Sequence, residues 1–195
     1  DIDTRHNPEF TMLEAYQAYA DYKDIIELTE NLVTTLASKV LGSLKMQYNH
    51  NEIDLSTPWR RLTMYDAIKE FGNIDITRTK DEEIQNILNQ HSISIPGGYN
   101  RGLAIAKLFD LFCEKRLIQP TFIIDHPKET TPLCKPHRNN PDLIERFELY
   151  IAGMELANAY SELNDPVIQH EYFLEEVKRR TLGDEEAHQY DEEFM

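Results

Sequence analysis

The alternation of apolar and polar positions changes period several times along the chain, and each change predicts an element. In "PEFTMLEAY", Phe10, Met12, Glu14 and Tyr16 share one face of a strand, with Thr11, Leu13 and Ala15 on the other. Glu14 keeps company with Phe10 and Tyr16, which fits either the floor of a pocket or an edge strand whose carboxylate faces water. From Asp21 the period becomes helical. Ile25, Leu28, Leu32, Leu36 and Val40 form a stripe that Ile26, Val33 and Leu41 widen, and Gly42 is the stop. "NHNEIDLSTPW" reads as a loop. Three helical segments follow: "LTMYDAIKEF" from a Thr63 cap, "DEEIQNILNQ", and the longer "NRGLAIAKLFDLFCEKRLI" after Pro96-Gly97-Gly98.

"QPTFIIDHP" is a short apolar strand closed by proline, and "KETTPLCKPHRNNPD" reads as loop. "RFELYIAGMELANAYSEL" has the pattern of a hairpin. Asp165 then caps a helix carrying Val167, Ile168, Phe173, Leu174 and Val177, which ends near Gly183. The sum is an α+β fold: mainly antiparallel strands backed by long helices, with a helical insertion over about residues 60–117.

The hairpin carries the first chemistry. A two-residue turn within Ile151 to Gly153 puts Glu148 and Glu155 on one face as direct or diagonal neighbours. Like charges facing across strands are destabilising. A hard cation such as Mg²⁺ between them gives the pair a purpose, and a solvated acidic face is the plainer reading. Beyond Glu155 the parity breaks, because Asn158, Tyr160 and Glu162 belong to the opposite face of a regular strand. For all of them to serve one site, a bulge is needed near Leu156–Ala157.

Composition narrows the classes. At 195 residues the chain suffices for one ordinary domain with a real core, and 41% apolar content is that of a folded protein. A net charge of −15 provides no basic footprint for holding a nucleic-acid backbone, so DNA is not an expected partner, while it suits a site that handles cations. No apolar run approaches a membrane span. Cys113 and Cys134 offer neither a disulfide framework nor metal spacing, which points to a reducing compartment, and the seven histidines form no ligand-like pair.

"TRHNPEFTMLEAYQAYADYKDIIELTE" closely resembles the second half of motif 2 and the following helix of class II lysyl-tRNA synthetases. "QPTFIIDHPKETTPLCK" and "ERFELYIAGMELANAYSELNDPVIQ" resemble that family's later active-site strands, and "GDEEAHQYDEEFM" the approach to motif 3. The likeness covers nearly the whole chain. It implies part of a class II catalytic domain: an antiparallel sheet with flanking helices and the insertion, without the anticodon-binding domain. The family's activity is to join L-lysine to ATP as lysyl-adenylate and pass it to tRNA(Lys), in a cytoplasmic homodimer that uses Mg²⁺.

Carried over by position, the resemblance implies that Phe10 stacks on adenine and His6 lies by the ATP phosphates, with Arg5 in the same loop. Arg5 and His6 are the catalytic candidates. Glu148 and Glu155 hold Mg²⁺ on the phosphates. Glu14, Tyr16, Asn158, Tyr160 and Glu162 line the lysine pocket, where Tyr16 and Glu162 read the side-chain ammonium. The Arg-x-Glu that opens motif 2 and the arginine of motif 3 have no counterpart in this chain, so the expectation is that it is inactive alone. Ala157 stands where many lysyl enzymes have glycine. "ELAN" is also similar to the synthetase-like lysyltransferases that modify a translation factor, which resemble "HNPEFTMLE" but lack "AYADY". A non-catalytic interaction module is the third reading.

Overall fold

The computed structural model describes residues 7–185 and 187–194. The segment expected to open the fold as a strand does not form one. Residues 8–19 carry no regular structure, and Phe10, Met12, Leu13, Tyr16 and Tyr19 are all exposed. Alternation supplies faces, but a strand also needs a neighbour for its N–H and C=O groups, and this segment pairs with none of the described strands.

Helix α1 (Tyr22–Leu41) begins in a reciprocal capping box between Asp21 and Asp24 and stops at Gly42, whose φ is 69°. The residues expected to be loop instead build a hairpin, β1 (Lys45–Tyr48) and β2 (Asn51–Asp54), turned by Asn49 and His50 at positive φ. Next come β3 (Arg60–Thr63), α2 (Met64–Gly72), α3 (Asp81–Gln90) and α4 (Arg101–Phe112), with a 3₁₀ turn over Glu114–Arg116. Thr63 and Asn100 cap α2 and α4, each accepting from an amide of the first turn.

The rest is β4 (Thr121–Pro127), β5 (Pro136–His137), β6 (Asn140–Ile151), β7 (Met154–Tyr160) and α5 (Pro166–Thr181), which Asp165 caps. The expected loop over residues 128–142 thus holds a 3₁₀ turn, β5 and the start of β6. β3 and β4 run parallel, joined through α2–α4, whereas β4, β5 and β7 are each antiparallel to β6.

Period two along β6 divides its side chains between two cores. Phe147, Leu149 and Ile151 face α1 with Phe122, Trp59, Tyr22 and Ile26. Tyr150 and Ile123 face the helices α2–α4, whose Ile68, Ile84, Leu108 and Phe109 are fully buried. The apolar stripe of α1 is only half used within the described structure. Tyr22, Ile26 and Ala37 are buried, while Leu28, Leu32, Leu36 and Val40 lie on its exposed side.

Candidate active site

The β6–β7 turn is formed by Ala152 and Gly153 with φ of 55° and 72°, the combination a type I′ hairpin requires. Their amides donate to Ile118 O and Leu117 O at 2.9 Å each, so the turn is also docked on the chain that leads into β4. From there the register runs Ile151–Met154, Tyr150–Glu155, Leu149–Ala157, Glu148–Asn158 and Arg146–Tyr160. Leu156 is the extra residue. The bulge sits where the sequence required one, and it restores the parity that the regular strand would have lost.

Glu148, Glu155, Asn158 and Tyr160 therefore share the face of the hairpin that also carries Arg146 and Tyr150. Ala157 projects from the other face, packed against the α1 core, so its difference from glycine does not enter this surface. Glu148 is held at both oxygens: Tyr150 Oη donates to Oε2 at 2.8 Å, and Arg146 Nη2 lies 2.8 Å from Oε1. Asn158 Nδ2 donates to Glu155 Oε1 at 3.0 Å. Loss of water raises the Glu155 pKa first, and the negative charge of Glu148 raises it further.

The helical side adds charge of the same sign. Asp110 of α4 has its pKa raised by burial, with Glu114 and Glu148 adding to the effect against Lys107. His126 of β4, fully enclosed beside β6, sits with Nδ1 3.9 Å from Glu148 Oε1, and burial drives its pKa down to about 3. It is therefore a neutral neighbour, not a competing cation. Two carboxylates, crowded enough to raise the proton affinity of one, suit a hard divalent cation that takes its other oxygens from phosphate and water. No group of three or more His, Cys, Asp or Glu side chains able to hold a metal ion exists among the described residues.

Glu162 lies beyond the end of β7, bridged to Cys134, and partial removal of its carboxylate from water raises its pKa. Tyr160 feels the charge of Glu162 and is near enough to Tyr16 for the two phenols to interact electrostatically. Phe10 and Glu14 are exposed in the irregular segment and join no cluster. Arg5 and His6 lie outside the described residues. The sequence reading missed Arg146, Tyr150 and Asp110. The first two stand two positions either side of Glu148, so strand period alone would have found them.

The whole chain, residues 1–195, matches the family described as class II tRNA synthetases for D, K and N. It is 52% identical over 196 residues to a lysine–tRNA ligase of Saccharolobus solfataricus, covering all of this chain and 40% of that protein. It is 50% identical over 195 residues to a lysine–tRNA ligase of Thermoanaerobacter pseudethanolicus, covering 39% of it. A lysine–tRNA ligase of Clostridium acetobutylicum is 48% identical over 198 residues, with 38% of its length covered. The chain spans about two fifths of the curated relatives it matches. It belongs to the class II tRNA synthetase family.

Proposed function

We propose that this chain forms the ATP- and lysine-binding sheet of a lysine–tRNA ligase. The observation that carries the reading is the single face on which the turn and the bulge present Glu148, Glu155, Asn158 and Tyr160. It is supported by the names of relatives about half identical over the whole chain. The insertion of α2–α4, a homodimeric parent and a cytosolic setting extend the same proposal.

In the proposed reaction an oxygen of the lysine α-carboxylate attacks the α-phosphorus of ATP. The new P–O bond forms as the bond to pyrophosphate breaks, giving lysyl-adenylate. The 3′-terminal hydroxyl of tRNA(Lys) then attacks the carbonyl carbon, the acyl–phosphate bond breaks, and AMP leaves as the hydroxyl proton passes to its phosphate. In the first step the carboxylate nucleophile has no proton to lose, so the protein's task there is positioning and charge balance. Mg²⁺, when bound, neutralises the phosphates. In this reading Glu148 and Glu155 are its ligands. Tyr16 and Glu162 receive the side-chain ammonium, which in a closed pocket needs an anionic partner, and Tyr160 lines the pocket beside them. Asn158 and Glu14 line the same pocket, Phe10 stacks on the adenine, and Arg5 and His6 approach the phosphates.

The test is ATP–pyrophosphate exchange by the full-length polypeptide that carries this chain, with each of the twenty amino acids, with and without Glu162→Gln. Exchange driven by L-lysine and lost in the variant is expected. Absence of exchange from well-folded protein overturns the reading.

A further inference from the structure

We infer that Arg146 and Tyr150 are positioning residues that fix the Glu148 carboxylate in the orientation a divalent cation needs. This rests on the proposed role of Glu148 as a metal ligand and goes beyond it, because neither residue belongs to the ligand set.

Each observation bears on the same carboxylate. Tyr150 donates to one oxygen and Arg146 pairs with the other, both at 2.8 Å, so the carboxylate plane is set from two sides. Glu148 and Arg146 have only 12% and 17% of their side chains exposed, and Tyr150 is buried against Phe109 of α4 at a ring distance of 5.5 Å. None of the three is free to swing. A carboxylate offers about four lone-pair directions, so two donors leave room for a cation on the same oxygens.

Arg146 is also placed at a cost. Its Nε is buried without a hydrogen-bond partner, an uncommon condition for a guanidinium N–H. Packing alone does not explain an arginine held by one carboxylate contact with another donor unsatisfied. The demand of Glu148 does: an arginine here fixes that oxygen and offsets part of the charge of Glu148 and Glu155. The cross-strand order makes the device local, since Arg146 faces Tyr160, Glu148 faces Asn158 and Tyr150 faces Glu155. The positioning residues and the proposed ligands thus alternate across two neighbouring strands.

Outer donors that orient a ligand typically change metal affinity 10–100-fold when removed. The experiment is Mn²⁺ titration followed by water-proton relaxation, on the full-length polypeptide with ATP present. It compares the wild type with Tyr150→Phe, Arg146→Lys and Glu148→Gln. Phenylalanine keeps the ring contact with Phe109, and lysine keeps the positive charge while losing the planar fork, so neither variant confuses orientation with lost packing or lost charge. Melting temperatures are measured in parallel. The expected result is Mn²⁺ binding weakened about 10-fold or more in Tyr150→Phe and Arg146→Lys, at melting temperatures near the wild type. Wild-type affinity in both, with binding lost in Glu148→Gln, overturns the inference and leaves the metal reading standing. Wild-type affinity in Glu148→Gln overturns both.

Discussion

Two single-residue deletions in β7 separate the bulge from the rest of the strand. Deleting Leu156 removes the extra residue and leaves Glu155, Ala157, Asn158 and Tyr160 facing the same β6 partners in a regular ladder. Leu156 is 54% exposed, so the buried part of its side chain is worth about 1 kcal/mol, half of the roughly 1.5–3 kcal/mol for a fully buried leucine. The closed ladder returns about 1 kcal/mol for one more backbone hydrogen bond, and the net change is close to zero. Deleting Ala159 has the opposite consequence. Tyr160 then falls opposite Phe147, on the α1 core face, and Ser161 leaves the amide of Tyr22 that it accepts from at 3.1 Å. An orphaned buried N–H costs about 1–3 kcal/mol, and a tyrosine hydroxyl driven into a packed aromatic core costs a similar amount.

The assay is urea and thermal unfolding of the chain followed by circular dichroism. For a domain of this size each kcal/mol moves the melting temperature by about 2–4 °C. Deletion of Leu156 is expected to stay within about 4 °C of wild type, and deletion of Ala159 to fall by roughly 8 °C or more. Equal losses in the two variants would refute the reasoning, because period-two register would then not be what the bulge restores.

Four further outcomes follow from particular contacts. Ala152→Asn, which puts the preferred residue at a positive-φ turn position, is expected to stabilise the chain by about 0.5–1 kcal/mol, and a lower melting temperature contradicts the I′ assignment. A β-carbon on Gly102 would collide with the Glu129 carboxylate and lie 3.1 Å from Pro127 Cβ, so Gly102→Ala is expected to destabilise the wild type and to cost clearly less in a Glu129→Ala background, where only the Pro127 contact remains; urea midpoints across the cycle check the coupling, and equal losses in both backgrounds contradict it. Arg179 joins Glu176 at 2.6 Å, Asp184 at 2.7 Å and the carbonyl of Glu129 at 3.1 Å, and Arg179→Met is expected to cost about 3–5 kcal/mol, read from the same unfolding curves. Burial pulls the pKa of Asp21 and of Glu145 upward, but hydrogen bonding and charge from Arg138 hold both below the ordinary range. Their stabilisation is present above the unfolded carboxylate pKa and lost as pH falls through the folded values, so Arg138→Met is expected to move acid unfolding to higher pH.

Much of this was legible because local chemistry and periodicity coincided. Asp21, Gly42, Thr63 and Asp165 mark helix ends through side-chain or backbone geometry, which the sequence displays directly. The bulge was legible for a different reason: the candidate site residues had incompatible parity unless one position was extra. What failed depended on partners distant in the chain. "PEFTMLEAY" has a strand's alternation but no neighbouring ladder among the described residues, and "NHNEIDL" has a ladder although its polarity resembles a loop. The α1 stripe was read as one surface, yet which half is buried depends on where β6 and β4 lie beneath it. Strand period places Arg146 and Tyr150 on the face of Glu148, but their contacts with its two oxygens depend on the bulged register and on α4, which no local pattern displays.

The site also shows how a fold keeps charges where they repel. Diagonal cross-strand neighbours lie about 7–8 Å apart, so two ionised glutamates repel by roughly 2 kcal/mol at an effective dielectric constant of about 20. That cost falls on even-numbered positions of β6, which face α4. The odd-numbered positions bury Phe147 and Leu149 completely and Ile151 nearly so, and three such side chains contribute about 5–9 kcal/mol. Slipping the strand by one residue would relieve the repulsion, but it would turn all three into the acidic face and bring Glu148 into the α1 core. Burial on one face therefore outweighs repulsion on the other by a wide margin. The register of β6 is fixed by residues that take no part in the chemistry, and the glutamates stay where the proposed cation needs them.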